Sequence, residues 1–231
     1  MPELLIRVQD VSKIYNAGRP DEVRALHGVS MQVTRGEALA LVGPSGSGKS
    51  TLLSLIACMS RPTSGVVRLG DREVSRLPEH FAARVRRESF GFMFQQSHLI
   101  PDLSVLDNVL VPLFPSNMPF DQMRERATAT LDRLGMKSKI ARKARSLSGG
   151  ERQRTAIARA IVHDPRIVIA DEPTAHLDHA LAEDLLNILA DLKSDGRTLL
   201  IATHDALVFQ HPLVTRILRL RDGMIEGEDA S

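Results

Sequence analysis

The chain has 231 residues, of which 43% are hydrophobic and 25% are charged, and its formal net charge at pH 7 is +2. These proportions are ordinary for a globular domain, and so small a net charge does not by itself indicate a nucleic-acid binder. The single cysteine, Cys58, excludes an intramolecular disulfide and a zinc site made of several cysteines. Its apolar neighbours predict a buried small side chain. The first residues lack the apolar core of a signal peptide, and no apolar run approaches the roughly 20 residues that span a bilayer. We therefore expect neither an export signal nor a membrane-spanning segment.

Apolar segments of two kinds follow one another along the chain. Segments that alternate partly between apolar and polar positions indicate an antiparallel sheet, and these are residues 3–9, 29–34 and 65–69. Short continuous apolar runs are typical of parallel strands buried on both faces, and these are residues 37–43, 166–171 and 198–204. Helical periodicity follows the first of these runs and precedes the third, over residues 49–59 and 181–192. The combination predicts an α/β core.

The middle of the chain lacks the apolar strand patterns found on either side of it. Residues 97–154 contain helical patterns without apolar strands, which predicts a helical subdomain inserted into the α/β core. Ser104 and Asp107 have the spacing of a capping box, which predicts a helix that carries Leu106, Val109 and Leu110. The polar tail, EGEDAS over residues 226–231, is expected to be frayed.

A glycine-rich loop lies directly after the first parallel strand and directly before a helix. Its sequence, GPSGSGKST over residues 43–51, fits the pattern Gly-x-x-x-x-Gly-Lys-Ser. Glycines let backbone N–H groups wrap around the oxygens of a triphosphate, and the helix N-terminus adds positive potential. In such a loop Lys49 neutralises the β and γ phosphates, and the Ser50 hydroxyl ligates Mg²⁺. The other residues expected to contact the nucleotide are Gly43, Ser45, Gly46, Ser47, Gly48 and Thr51.

Two acidic residues follow the second parallel strand in the sequence IVIADEP. Open parallel sheets bind their ligands at the carboxyl ends of the strands, which is where Asp171 and Glu172 would lie. Together with a phosphate loop, this placement predicts that Asp171 holds a water of the Mg²⁺ shell and that Glu172 is the general base for the attacking water.

Four further short segments accompany these motifs: FQQ (94–96), LSGGERQR (147–154), TAHLD (174–178) and ATHD (202–205). In this order, and over essentially the whole chain, the set resembles the ATP-binding-cassette (ABC) ATPases. The resemblance implies a P-loop ATPase core with an N-terminal antiparallel β subdomain and an inserted α-helical subdomain. It also implies a single ABC ATPase domain over residues 1–231. Residues 1–96 and 155–231 would form its core, and residues 97–154 its helical subdomain.

The same resemblance assigns roles to three residues around one nucleotide. Tyr15 matches the aromatic residue that stacks on adenine, and it is the only tyrosine in a chain without tryptophan. Gln95 matches the glutamine that ligates Mg²⁺ and senses the γ phosphate. His204 matches the histidine that contacts the γ phosphate and holds water and base in place. The implied cofactors are ATP and Mg²⁺.

A second group of residues is implied to act between two subunits. Ser148, Gly149 and Gly150 begin a helix whose positive end suits a γ phosphate, and in ABC ATPases that phosphate belongs to ATP held by the other subunit. Asp178 matches an acidic residue of a loop that crosses between subunits, although His176 stands where a small residue is more usual. The resemblance therefore implies a homodimer.

The stretches around the phosphate loop and around Gln95 resemble the MacB/LolD/FtsE group of ABC ATPases. Such a protein would lie on the cytoplasmic face of the cell membrane, beneath integral-membrane permease subunits. It would power export or extraction of a lipoprotein, peptide, drug or haem-like substrate. Two alternatives stay open, a cell-division ATPase of the FtsE kind without cargo and a soluble ABC ATPase of iron–sulfur assembly.

Basic residues are frequent between Arg124 and Arg145. No aromatic residues interleave with them to stack on bases, so the pattern favours a solvated face and we expect no nucleic-acid partner.

Overall fold

Two β-sheets form the framework of the structure, a computed structural model that describes residues 3–175 and 177–230. The first sheet consists of β1 (Leu4–Tyr15), β2 (Val23–Thr34), β4 (Ser64–Leu69) and β5 (Arg72–Glu73). Its order is β2-β1-β4-β5, and every pairing in it is antiparallel. The predicted antiparallel sheet is therefore present, although β4 and β5 join it only after a strand of the other sheet and a helix have intervened.

The second sheet has six strands. They are β3 (Ala38–Val42), β6 (Phe90–Met93), β7 (Ile167–Asp171), β8 (Thr198–Thr203), β9 (Arg216–Arg221) and β10 (Met224–Ala230). The order is β10-β9-β3-β8-β7-β6. The pairings from β9 to β6 are parallel, and only β10 runs antiparallel to its neighbour. This sheet confirms the predicted α/β fold.

Seven α-helices lie among the described residues: α1 (Lys49–Ile56), α2 (Glu79–Ser89), α3 (Val105–Leu110), α4 (Phe120–Arg133), α5 (Gly149–Ile161), α6 (His179–Ser194) and α7 (Ala206–Phe209). Three of them, α3 to α5, follow one another between β6 and β7, in the region where the sequence predicts helices without strands. The predicted boundary between residues 154 and 155 falls inside α5.

The central sheet is buried on both faces because successive side chains of a strand point to opposite sides. On β3, Ala38 and Ala40 belong to one apolar cluster, which the helices α3 to α6 cover. Leu39 and Leu41 belong to a second cluster, formed with α1 and the antiparallel sheet. Cys58 lies in this second cluster and is 7% exposed, as its apolar neighbours predict.

Several elements differ in length from their predictions. β1 and β2 extend well beyond residues 3–9 and 29–34, and their pairing contains several register shifts. Such irregularities interrupt the alternation by which a strand is recognised in sequence. α1 ends at Ile56 rather than at residue 59, and Cys58 has a φ of 58°, which a continuing helix does not allow.

The expectation of a frayed tail is wrong for residues 226–230. These residues belong to β10, which pairs with β9 along its length. Arg216 donates to Glu228 at 2.8 Å, and Arg219 donates to Asp229 at 3.1 Å. The polar composition is that of a charged edge strand, and charges of this kind protect an exposed sheet edge from pairing with other chains.

Candidate active site

The phosphate loop connects the buried strand β3 to the N-terminus of α1. Gly48 is the residue before the helix and has a φ of 102°, which favours glycine strongly. A Cβ atom at Gly43 would lie 2.0 Å from the backbone oxygen of Leu220, so no other residue fits at the start of the loop without a backbone shift. The glycines of the motif therefore allow both the turn and the close approach of neighbouring backbone.

Lys49 lies at the first position of α1 and is only 5% exposed. Its Nζ donates to the carbonyl oxygens of Gly43 and Pro44, at 2.7 and 3.0 Å. The same Nζ is 3.5 Å from Oε1 of Glu172. A buried ammonium group with these partners is held at the centre of the loop, where an incoming phosphate can replace the carbonyl oxygens.

Oxygen atoms suited to a hard cation lie beside this lysine. Ser50 Oγ donates to Asp171 Oδ1 at 3.0 Å, so the hydroxyl of α1 and the carboxylate at the end of β7 are in contact. Hydroxyl and carboxylate oxygens are the ligands that Mg²⁺ takes in nucleotide sites, with phosphates and waters completing its shell. Ser47 Oγ is buried and has no hydrogen-bond partner among the described residues. The residues present therefore fit a nucleotide with its Mg²⁺.

The pKa of Asp171 is raised above its usual range. Burial of the carboxyl is the main cause, and the neighbouring Glu172 carboxylate adds to it, whereas the Ser50 hydrogen bond and Lys49 lower the pKa. Burial thus makes the ionised form of Asp171 costly. A bound cation would favour that ionised form.

Glu172 occupies a backbone conformation that is rare for its residue type. Its φ is 48°, and its N–H group donates to the carbonyl of Ala202 on β8 at 2.9 Å. Its Oε1 atom lies 3.0 Å from His204 Nδ1, at the end of β8. Left-handed backbone at a non-glycine residue costs of order 1–3 kcal/mol and concentrates at functional sites. This conformation turns the carboxylate toward both Lys49 and His204. No sequence pattern predicts this conformation.

An open cavity of about 390 Å³ joins these groups to the predicted adenine platform. The predicted site residues that line it are Tyr15, Ser45, Gly46, Ser47, Gly48, Lys49, Ser50, Thr51, Gln95, Glu172 and His204. The ring of Tyr15 is 39% exposed, and Lys13 Nζ lies 4.8 Å from its centroid. The cavity also has lining residues that the sequence reasoning missed, namely Val23, Arg24 and Ala25. Val23 is the cross-strand partner of Tyr15, so correct pairing of β1 with β2 would have identified this wall.

Parallel topology explains why residues so distant in sequence meet. The phosphate loop follows β3, Gln95 follows β6, Asp171 ends β7 with Glu172 next to it, and His204 follows β8. These four strands are neighbours and parallel, so their carboxyl ends share one edge of the sheet.

The remaining predicted site residues do not line this cavity. Ser148 caps α5 through a complete capping box, in which Glu151 N donates to Ser148 Oγ at 3.3 Å and Ser148 N donates to Glu151 Oε2 at 3.0 Å. Ser148 and Gly149 are exposed, and Gly150 is half-buried. Asp178 is also exposed and caps α6 by accepting from Leu181 N at 2.9 Å. His176, where the sequence departs from the ABC pattern, lies outside the described residues.

A glycine-rich loop leads into a helix N-terminus, and a serine, two carboxylates and a histidine lie beside it at one edge of a parallel sheet. This arrangement defines a P-loop nucleoside triphosphatase. Comparison with known proteins narrows this class. The family model described as ABC transporter matches residues 26–175. The chain belongs to this family and is an ABC ATPase domain.

Curated relatives agree with this assignment. MacB from Hyphomonas neptunium, a macrolide export ATP-binding/permease protein, is 42% identical over 98% of this chain. MacB from Sodalis glossinidius is 43% identical over 97% of it. The chain spans only 35% and 34% of these two relatives. An uncharacterized ABC transporter ATP-binding protein of Thermotoga maritima is 41% identical, and the match covers 96% of this chain and 94% of that protein.

Solved structures show the same fold. The dimeric structure of MJ0796, a bacterial ABC transporter cassette, is 37% identical, with a TM-score of 0.89 and 98% coverage of both chains. A second structure of MJ0796, a dimeric post-hydrolysis state bound to ADP and Pi, is 36% identical with the same TM-score of 0.89. Among the described residues of the present chain, no helix combines the length and the apolar character needed to cross a membrane.

Proposed function

We propose that this chain is the ATP-hydrolysing component of a MacB-type export transporter and that it energises a membrane permease. The observation that carries the proposal is the Glu172 carboxylate, held between Lys49 and His204 in a cavity that the phosphate loop lines. The export role rests on the relatives named for macrolide export. The cargo would be a drug, peptide, lipoprotein or haem-like molecule, and its recognition would belong to the membrane part of the transporter.

In the proposed reaction, water attacks the γ phosphorus of ATP, and the bond to the β–γ bridging oxygen breaks to give ADP and phosphate. Glu172 accepts a proton from the attacking water as general base. His204 orients that carboxylate through the 3.0 Å contact of its Nδ1 atom. Lys49 leaves the carbonyls of Gly43 and Pro44 and binds the β and γ phosphates.

Ser50, Asp171 and Gln95 would hold Mg²⁺ in this site. A bound Mg²⁺ neutralises charge on the β and γ phosphate oxygens. The support for this assignment is the contact of Ser50 with Asp171 and the position of Gln95 on the same cavity wall. Tyr15 would stack on adenine from the far end of the cavity.

We further propose that two copies of the chain complete each other's sites. Ser148, Gly149 and Gly150 would bind the γ phosphate of ATP held by the second copy, and Asp178 would lie at the boundary between the copies. The capping box leaves the N–H groups of Gly149 and Gly150 at the helix N-terminus, and neither glycine lines the nucleotide cavity of its own chain. The dimeric form of the MJ0796 structures supports this arrangement.

The proposed contact with the permease is an apolar groove of about 770 Å³ between α2, β6 and the residues after α3. Its apolar wall includes Phe90, Phe92 and Val111, and four arginines surround that wall: Arg84, Arg86, Arg87 and Arg159. None of the described residues that line the groove is acidic. A short permease helix with apolar and acidic side chains would complement this groove, and the chain would then lie on the cytoplasmic face of the membrane.

Substitution of Glu172 by Gln tests the proposed mechanism. Loss of a positioned base typically lowers the rate by about 10²- to 10⁴-fold, while nucleotide binding is retained. We therefore expect Glu172→Gln to bind ATP, to hydrolyse it at least about 100-fold more slowly and to accumulate as an ATP-dependent dimer. Phosphate release and size-exclusion chromatography with ATP measure these effects. Hydrolysis at the wild-type rate would show that Glu172 is not the base.

A further inference from the structure

We propose that Arg159, near the C-terminal end of α5, is a positioning residue that holds the loop carrying Gln95. The inference rests on the proposed role of Gln95 at the nucleotide. Arg159 does not line the nucleotide cavity and lies 64 positions beyond Gln95 in the sequence. It would affect the nucleotide site only through the loop.

The guanidinium of Arg159 binds two successive carbonyl groups of this loop. Nη1 donates to the carbonyl oxygen of His98 at 2.7 Å, and Nη2 donates to that of Ser97. Among the described residues, no backbone N–H group donates to either carbonyl. A planar guanidinium can hold two acceptors at once in a fixed orientation, which a single amine cannot do equally well. Arg159 therefore holds the backbone of this part of the loop through two hydrogen bonds.

The electrostatic setting of Arg159 supports a specific role. Burial lowers the pKa of its guanidinium, and the salt bridges among the described residues do not include it. A partly buried charge without a carboxylate partner is expensive. The two loop carbonyls are the hydrogen-bond partners of this charge, and Arg159 also borders the groove proposed for the permease.

The loop has a further anchor at Ile100. The buried Asn108 accepts from Ile100 N at 2.8 Å and donates to Ile100 O at 3.1 Å. Between this anchor and the end of β6 the chain turns sharply, and His98 has a φ of 45°. Without Arg159, the carbonyl groups of Ser97 and His98 would lose these hydrogen bonds, while the contact between the Phe94 and His98 rings, with centroids 5.2 Å apart, would remain.

Helix α5, which carries Arg159, links the proposed contact to the second copy with the loop of Gln95. Its first residues follow Ser148, the proposed contact to ATP of the second copy, and Arg159 binds the loop of Gln95 in its own copy. Gln153, on the same helix, donates to the carbonyl of Pro173, next to Glu172, at 3.1 Å. Movement of α5 on contact with the second nucleotide would thus be passed to Gln95 through Arg159.

A double-mutant cycle of Arg159→Ala with Gln95→Ala tests the inference in the full 231-residue chain. We expect Arg159→Ala to lower kcat by about 10-fold, since small misplacement of a positioning group costs rate steeply. It should also raise the Mg²⁺ concentration for half-maximal activity, with ATP affinity little changed. In the Gln95→Ala background the same substitution should have no further effect, because Arg159 acts through Gln95.

The matched control is Arg154→Ala. Arg154 lies on the same helix and also loses contacts when truncated, to the carbonyl of Leu134 and to Asp184, but it does not touch the Gln95 loop. The Mg²⁺ concentration for half-maximal activity should rise in Arg159→Ala and not in Arg154→Ala. If Arg159→Ala does not fold, Arg159→Lys keeps the charge and one donor direction, and it should show a smaller loss of the same kind.

Each result has a distinct meaning. Additive losses in the double mutant, an unchanged Mg²⁺ dependence in Arg159→Ala, or wild-type kcat in Arg159→Ala would each overturn the positioning role. Wild-type activity and Mg²⁺ dependence in Gln95→Ala alone would instead overturn the role proposed for Gln95, and the inference about Arg159 would fall with it.

Discussion

The backbone conformation and the contacts of Glu172 depend on the tertiary structure. Its place after a buried strand is visible in the sequence, but its left-handed φ of 48° and its contacts with Lys49 and His204 are not. Those contacts bring together residues 49, 172 and 204, which lie on three neighbouring strand ends. Short motifs specify phosphate chemistry and therefore predict which kinds of residue form the site, whereas the distances between these residues follow from strand order.

Asp171 leads to a prediction about stability and pH. Because its pKa is raised in the folded chain, the folded state binds the proton more tightly than the unfolded state does. Folding is therefore favoured at low pH, where Asp171 is protonated, and this contribution is lost as pH rises through the folded-state pKa. Asp171→Asn removes the buried charge and keeps an acceptor for Ser50.

We expect Asp171→Asn to raise the melting temperature at neutral pH and to lose Mg²⁺-dependent hydrolysis. The gain should shrink as the pH is lowered toward 4, the region where an aspartate protonates. Thermal melts across this pH range measure the effect without nucleotide. A variant that is less stable than wild type at neutral pH would contradict the idea that the ionised carboxylate is kept for function at the expense of stability.

At the scale of single elements, the sequence predicts where α5 begins but not which other segments α5 contacts. The motif LSGG followed by Glu151 predicts a helix N-terminus, and the capping box is present in full. The sequence boundary drawn at residue 154 cuts through this helix, because helical periodicity continues past it without a break. Only packing shows that one face of α5 reaches the Gln95 loop and another the residue after Glu172.

Ser148→Arg tests the proposed contact between two copies. An arginine at this exposed helix start should leave ATP binding by the single chain largely intact and should abolish ATP-driven dimerisation and hydrolysis. Loss of the cap itself costs about 1 kcal/mol. Nucleotide titration of the single chain and size-exclusion chromatography of Glu172→Gln/Ser148→Arg with ATP separate the two effects.

The control is Ser104→Arg. Ser104 is the N-cap of α3 and accepts from Asp107 N at 3.0 Å, and it belongs neither to residues 148–150 nor to the lining of the nucleotide cavity. This variant should lose similar stability and still dimerise. Loss of ATP binding in the Ser148→Arg monomer would count against a site shared between copies.

At the scale of the whole molecule, the groove between α2, β6 and the residues after α3 is the surface proposed for the permease. Val111 lines it and is 38% exposed. Val111→Asp places a carboxylate among apolar and basic side chains, so it should both repel an acidic partner and weaken apolar contact. We expect capture of permease subunits from detergent-solubilised membranes to fall by at least about 10-fold, which corresponds to about 1.4 kcal/mol.

The corresponding control is Met224→Asp, since Met224 is 51% exposed on β10, outside the groove. Both variants should retain ATPase activity as isolated chains, and mass spectrometry of the captured proteins gives the comparison. Equal capture by wild type and Val111→Asp would show that the groove is not the permease contact.

The sequence by itself determined the α/β class, the phosphate loop and the family, because short motifs and apolar periodicity are local properties of the chain. It did not reveal the full lengths of β1 and β2, whose register shifts interrupt alternation, or the ordered β10, whose polar residues are paired with β9. Only the tertiary structure decided which residues meet, since four parallel strands bring loops from distant parts of the chain to one edge. The link from Arg159 to Gln95 arises in the same way, from a helix packed against a loop about 60 residues earlier, a contact that no local pattern encodes.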